Sequence, residues 1–369
     1  MLAVVERGNL TLATRASEVL PGFAGEGREA ITLRHLLTHT SGLSYESPEM
    51  EARLIARMPL DAILDEAAAG PLLFPPGNGF SYSDYGYGLA GQMAAAVTGE
   101  TFPDLVRTLV LEPAGLADTF MPPPGSEYPR LAWVDGPLAH GTDGAMYNSP
   151  YALDLAHPAF GTVATVSDLL RFGLLFAPKG SHRLHSEATI RVMTTDATGG
   201  YVHGGFLGVD SPAPIPWGLG FMVKGEVGPG GDLVSSATFS HGGASGCTLQ
   251  VDPVNDIVVA FVSNRHANTG RGRSGLRSTA AGAGPLPRWI RRPAGAAQLH
   301  SPAADLVPER APAQAAIASG RSGKVSLAEA PETSRPPSRR SSDDASSALA
   351  ATVRIALLSA FRTLSHEAR

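Results

Sequence analysis

An α/β fold, with an antiparallel sheet flanked by helices, is what three observations in this chain predict. Residues 237–263 carry three short β runs in close succession. Between residues 31 and 176, apolar side chains recur at helical spacing behind residues suited to capping. Beyond residue 266 the aliphatic residues thin out, so the folded body is expected to end there. With 369 residues, 43% of them hydrophobic and 17% charged, the chain is long enough to bury a substantial core.

The β runs organise the rest. The stretch F-S-H-G-G-A-S-G-C-T-L-Q-V-D-P-V-N-D-I-V-V-A-F-V-S-N spans residues 239–264. The runs at 248–252 and 257–263, joined by Pro253-Val254-Asn255-Asp256, predict a hairpin. The run at 257–262 is apolar on both faces, so cover is expected on both sides. Gly242 and Gly243 leave room for another backbone along the first run, with His241 beside the opening. That pattern predicts the wall of a substrate groove.

Taken in order, residues 1–8 predict the end of a helix and 9–23 a connecting arm. In I-T-L-R-H-L-L-T-H-T-S-G-L, residues 31–43, Thr32 can cap, Leu33, Leu36 and Leu37 share a face, and Gly42 suits a helix stop. Helices are expected at 61–69, at 85–98 with Gly99 closing it, and at 101–111 with Pro103 in the first turn. Residues 120–160 show no period and predict a long irregular excursion. Thr165 caps a helix over 166–176 that has Asp168 in its first turn, and Trp217-Gly218-Leu219-Gly220-Phe221 predicts a strand leading to the groove.

Composition limits the partners. Residues 267–369 hold 15 Lys or Arg against 7 Asp or Glu, leaving 14 against 27 in the remainder. An acidic body of this kind does not suggest nucleic acid binding. Three segments follow: a folded domain at 1–266, a disordered Pro-, Ser- and Arg-rich linker or tail at 267–347, and an amphipathic helix within 348–369 built on Val353, Leu357, Leu358 and Phe361. No apolar run approaches the length of a membrane span. Residues 1–12 lack the pattern of an export signal, so a cytoplasmic location is the default expectation. Cys247 is the one cysteine, which excludes an internal disulfide and a multi-cysteine metal site. His35 and His39 have i,i+4 spacing, but Leu36 stands where a zinc-protease motif needs glutamate, so no metal or cofactor is expected.

Residues 33–43, Tyr82-Ser83-Asp84 with its Gly-rich helix, and His241-Gly242-Gly243 with its hairpin together resemble the serine β-lactamase and penicillin-binding-protein-like superfamily. The likeness is to the branch of class C β-lactamases, DD-peptidases and esterases, and it runs from about residue 1 to 266. It implies a β-lactamase/transpeptidase-like fold with a helical subdomain, and acyl transfer through a serine ester. The expected substrates are small-molecule esters, β-lactams or D-amino-acid peptides. By the resemblance Tyr82 is general base and acid, and His241 hydrogen-bonds the Tyr82 oxygen or the substrate. Gly242 and Gly243 line the groove, and the Ala244 N–H is one oxyanion donor.

Departures from the pattern bear on activity. No serine of the chain has lysine three positions on, so the S-x-x-K nucleophile motif is absent, and the chain is expected to begin inside the family's first catalytic helix. The strand at 257–262 is then expected to lie with an unpaired, aggregation-prone edge. Relatives usually carry Asn at the position of Asp84, and a carboxylate there disfavours the Tyr82 phenolate. Asp84 stands between two readings, a groove residue and the N-cap of the helix after it. Ser41, in His39-Thr40-Ser41-Gly42, is read as closing a turn, and Ser245 as a strand-edge residue. Two functions remain open: a serine hydrolase, or a non-catalytic truncated or binding-only relative.

Overall fold

The computed structural model describes residues 1–45, 50–134, 148–178, 180, 183–203, 213–226, 231, 233–264, 314–319, 325–329 and 353–355. Helices dominate the first half: α1 Leu2–Glu6, α2 Ala16–Val19, α3 Leu33–Leu37, α4 Met50–Ile55, α5 Leu60–Ala69, α6 Asp84–Thr98, α7 Phe102–Val106 and α8 Glu112–Ala114. After β1 Thr119–Phe120 come α9 Pro150–Asp154, β2 Thr162–Ala164, α10 Val166–Leu174 and α11 Glu187–Thr194. The remaining strands are β3 Val202–His203, β4 Ala213–Pro214, β5 Met222–Val223, β6 Phe239–Gly242, β7 Thr248–Asp252, β8 Ile257–Val262, β9 Gln314–Ser319, β10 Val325–Glu329 and β11 Val353–Ile355.

Local signals set many of these boundaries. Thr32 accepts the His35 N–H and starts α3, Thr165 accepts the Asp168 N–H and starts α10, and Gly99, at φ 75°, ends α6. The N-cap of α6 is Ser83, whose Oγ accepts the Gly86 N–H at 3.0 Å; Asp84 is therefore the first helical residue and not the cap. α6 is rich in small residues because its neighbours lie on it. A Cβ at Gly88 would sit 2.2 Å from Leu64 Cδ2 of α5, and one at Gly91 would sit 2.4 Å from Pro158. Leu33, Leu36 and Leu37 of α3 join Leu64, Leu89 and Met93 in the helical core, each fully buried aliphatic side chain contributing about 2 kcal/mol.

The main sheet runs β10-β9-β8-β7-β6-β5, every pair antiparallel. The hairpin of β7 and β8 pairs Thr248 with Phe261 and Asp252 with Ile257. Asp252 fixes its turn by accepting the N–H groups of Val254 and Asn255, each at 3.1 Å. α10 lies on this hairpin through Gly173, where a Cβ would meet Val258 at 2.5 Å and Leu249 at 2.8 Å. Val258, Ala260 and Val262 are buried, while on the other face Val259 and Phe261 are half-buried and Ile257 is 38% exposed, so the second face is covered only in part.

Other departures have tertiary causes. Trp217–Phe221 is a tight turn instead of a strand: Gly218 N–H donates to the Phe221 carbonyl at 2.8 Å, Gly220 is left-handed, and β5 starts at Met222. Within the stretch expected to be disordered, β9 pairs with β8 along Ile257 to Val262 and β10 pairs with β9. The edge expected to be unpaired is thus covered, by backbone pairing that composition does not reveal. At Val353–Ile355 a strand, β11, pairs with β2 where the spacing predicts a helix; β-branched residues at 353 and 355 suit an extended chain. The other residues of 267–369 lie outside those described.

Two long-range contacts matter later. Glu6 of α1 accepts from the Ser186 N–H at 2.9 Å, the Thr189 hydroxyl at 2.6 Å and His185 Nδ1 at 2.7 Å, at the start of α11. Behind this joint lies a cavity of about 250 Å³ lined by Met1, Leu2, Leu184, Ile190 and Met193 among others.

Gly42 does not close α3, which ends at Leu37, but turns the chain beyond it with φ 81°. A Cβ there would lie 2.1 Å from the carbonyl oxygen of Phe74. Gly42→Ala is therefore expected to destabilise the fold by about 2 kcal/mol or more, from left-handed strain plus displaced backbone, read as a lower urea midpoint. An unchanged midpoint would contradict this.

Candidate active site

The site is assembled on the exit from α3. Residues 38–43 form a bed for the loop that follows Phe74. Gly42 accepts the Leu73 N–H at 2.7 Å, Thr40 accepts the Gly77 N–H at 2.8 Å, and His39 accepts the Ser81 N–H at 2.8 Å. Ser41 is fully buried and its Oγ accepts the Leu43 N–H at 3.3 Å, as a turn-closing serine does. Tyr82 is then carried inward, 5% exposed, onto the His39 ring with centroids 4.1 Å apart.

Trp217 stands between the two aromatic groups that the sequence places in the groove. Its ring lies 5.6 Å from Tyr82 at 80° and 5.5 Å from His241 at 82°, both edge-to-face arrangements. It is 1% exposed, and its backbone N–H donates to Thr198 Oγ1 at 3.1 Å and Asp196 Oδ1 at 3.2 Å. His241 Nδ1 pairs with the carbonyl of Gly242 at 2.8 Å. The structure thus gathers Tyr82, Asp84 and His241 around one aromatic cluster but inserts a tryptophan between Tyr82 and His241.

The electrostatics of this cluster disfavour charge. Burial, then the nearby Asp84 and Tyr87, push the Tyr82 phenol well above its ordinary range. Burial pushes the Asp84 carboxyl up to about 8, and a polar contact from Tyr45 opposes this only in part. Neither Asp84 oxygen has a hydrogen bond of ordinary geometry. Burial pulls the partly exposed His241 down to about 4, with its bond to Gly242 opposing, so its imidazole is neutral at neutral pH.

The glycine-rich turn after β6 is held by Gly243 N–H donating to Cys247 and Gly246 N–H donating to Gly243, each at 2.9 Å. Neither of those bonds uses the Ala244 N–H. Ser245 is fully buried within this turn, its Oγ 3.0 Å from Cys247 Sγ, and is not a strand-edge residue. Among the described residues no group of three or more His, Cys, Asp or Glu is arranged to hold a metal ion. His35 Nδ1 accepts the Thr32 N–H and so belongs to the α3 cap.

Sequence reasoning missed His39 and Trp217 as members of the site. A histidine ending a leucine-rich helix offers only its i,i+4 spacing to His35 as a signal, and Trp217 gave only the appearance of a strand.

Helices packed on an antiparallel sheet, with a buried tyrosine near the inner strand that carries His241, define a β-lactamase-like architecture. Residues 1–284 match the Beta-lactamase family, and the chain belongs to that family. It is 29% identical to penicillin-binding protein 4 of Amycolatopsis lactamdurans over 280 residues, 72% of this chain and 68% of that protein. It is 26% identical to esterase EstB of Burkholderia gladioli, covering 72% and 73% of the two chains. Among solved structures, a penicillin-binding protein homologue from Caulobacter crescentus superposes with a TM-score of 0.58 at 26% identity, over 76% and 78% of the two chains. A class C beta-lactamase at 18% identity, with a TM-score of 0.54, shares the fold. No helix among the described residues is long and apolar enough to cross a membrane.

Proposed function

We propose that this chain retains the substrate groove of a β-lactamase-family serine hydrolase, for a small-molecule ester, β-lactam or D-amino-acid peptide, but does not turn such ligands over. Tyr82 and His241 mark the groove, Gly242 and Gly243 line it, and Ala244 supplies a backbone donor to a ligand carbonyl. One observation carries the reading: Tyr82 is 5% exposed, and burial, with Asp84 and Tyr87 nearby, raises its phenol well above the ordinary range, so it holds its proton. A general base must release and accept that proton near the working pH. The sequence is consistent with this, since none of its serines is followed by lysine at the third position.

The relatives support the ligand class: a penicillin-binding protein, an esterase and a putative D-alanyl-D-alanine carboxypeptidase of Escherichia coli are among them. The test uses the purified 369-residue chain with nitrocefin, p-nitrophenyl butyrate and a fluorophosphonate label. Expected are equilibrium binding of nitrocefin, no turnover above buffer, and no adduct by intact-mass spectrometry. An adduct on any serine, Ser41 included, would sink the non-catalytic reading in favour of a hydrolase.

A further inference from the structure

One residue grips the Tyr82 segment from both sides. The His39 carbonyl accepts the N–H of Ser81 at 2.8 Å, and His39 Nδ1 accepts the N–H of Ser83 at 3.1 Å. Its ring lies against Tyr82 itself, with centroids 4.1 Å apart and planes inclined by 32°. The same ring contacts Tyr87 at 4.7 Å and Trp217 at 4.9 Å, so it touches the wedge as well as the phenol.

The backbone at His39 is left-handed, with φ 58°, and the residue is fully buried. Such a conformation is uncommon for a residue other than glycine and costs on the order of 1 kcal/mol or more. Glycine would make the same turn without strain, but it would supply no acceptor for the Ser83 N–H and no ring beneath Tyr82. The strain is tolerated where the side chain has work that the backbone cannot do.

We propose that His39 is a positioning residue for Tyr82, setting the direction of the phenol by holding the backbone on each side of it and supporting its ring. This rests on the reading of Tyr82 as a groove residue. Because Nδ1 accepts, the neutral ring carries its proton on Nε2. Asparagine is the conservative replacement. Its Oδ1 occupies nearly the place of Nδ1, and it tolerates the left-handed region. Glycine relieves the strain and removes the acceptor, which separates the two effects.

The full chain is compared with H39N, H39G and H39A by amide hydrogen exchange, by titration of the tyrosine phenols with 13C-tyrosine NMR, and by equilibrium binding of nitrocefin. Losing the Ser83 bond in H39G and H39A is expected to cut exchange protection at Ser83 about tenfold, while H39N keeps it within about threefold. Tyr82 should titrate closer to the ordinary tyrosine range in H39G and H39A, and as in the unaltered chain in H39N. Nitrocefin binding should weaken in the same order. Unchanged amides in β7 and β8 of H39G report that the fold stands even if H39A fails to fold.

A Tyr82 titration in H39G identical to that of the unaltered chain would overturn the proposal, and so would an H39N that behaves like H39G. Tyr82→Phe keeps the two readings apart. If it binds nitrocefin as the unaltered chain does, the groove reading falls, while exchange and titration still decide the role of His39.

Discussion

Asp84→Asn is expected to stabilise the protein, by more at pH 8 than at pH 5. Asp84 is fully buried at the first position of α6, and its carboxyl is held up to about 8 from an ordinary 3.8, chiefly by burial. The folded state therefore keeps a proton that the unfolded chain releases. The stability this group contributes is complete below about 3.8 and is lost as pH rises towards 8, at about 1.4 kcal/mol per pH unit. Asparagine has the same shape and no charge to bury. The helix N-terminus favours a carboxylate by up to about 1 kcal/mol, which reduces the benefit of removing it. A gain of about 4 kcal/mol at pH 7.5 is the expected outcome, measured by urea denaturation at several pH values. A variant whose advantage is the same at pH 5 and pH 8 would show that Asp84 is ionised in the folded state. The substitution also removes the second influence raising the Tyr82 phenol, so that phenol should titrate lower in D84N.

His157 acts with the opposite sign. It is fully buried, stacked on Phe160 with centroids 4.3 Å apart, and its Nδ1 accepts the Ala159 N–H at 3.0 Å. Among the described residues no partner meets its Nε2, and burial pulls the ring down to about 3 from an ordinary 6.5. Here the unfolded chain takes up a proton that the folded state refuses. Stability is complete above about 6.5 and falls as pH drops towards 3, again by about 1.4 kcal/mol per unit. His241, lowered to about 4, adds to the same slope, less strongly because it is partly exposed. His157→Asn keeps an acceptor for Ala159 but forfeits the stacking. It should be less stable than the unaltered chain at pH 7, by about 1–2 kcal/mol, and should lose much of the steepness between pH 6 and pH 4. An acid limb as steep as before would place the responsible protonation elsewhere.

Legibility in the sequence followed the range of the forces involved. Thr32, Thr165 and Gly99 announce α3, α10 and the end of α6 because a cap is satisfied within three or four residues. The β7–β8 hairpin is legible for the same reason, since Asp252 and the residues after it close the turn among themselves. Asp168 was visible as a first-turn acid, but its carboxylate also accepts from the Asp118 N–H and the Thr119 hydroxyl some 50 residues away, which no local pattern encodes. Trp217 was missed as the wedge because its position depends on Asp196 and Thr198. The pairing of β9 with β8 joins backbone groups distant in sequence, and a composition poor in aliphatic residues gives no sign of it. Of the site, Tyr82 and His241 were pointed to by the family resemblance of their motifs. The histidine beneath the tyrosine could not be read, because its partners lie 44 residues on.

The grip of Glu6 on the start of α11 joins segments 180 residues apart through one carboxylate. Hydrogen bonds from His185, Thr189 and Ser186 outweigh the opposing effect of burial and hold that carboxyl at about 2, so it stays ionised through the ordinary pH range. The apolar void behind it is walled by both segments together with Leu37, Tyr87 and Leu219, so the carboxylate joins them across a gap that side chains do not fill. The first helix and the last helix before the β5–β8 strands are therefore expected to loosen together, and the void between them is walled in part by Tyr87, whose ring also contacts that of His39.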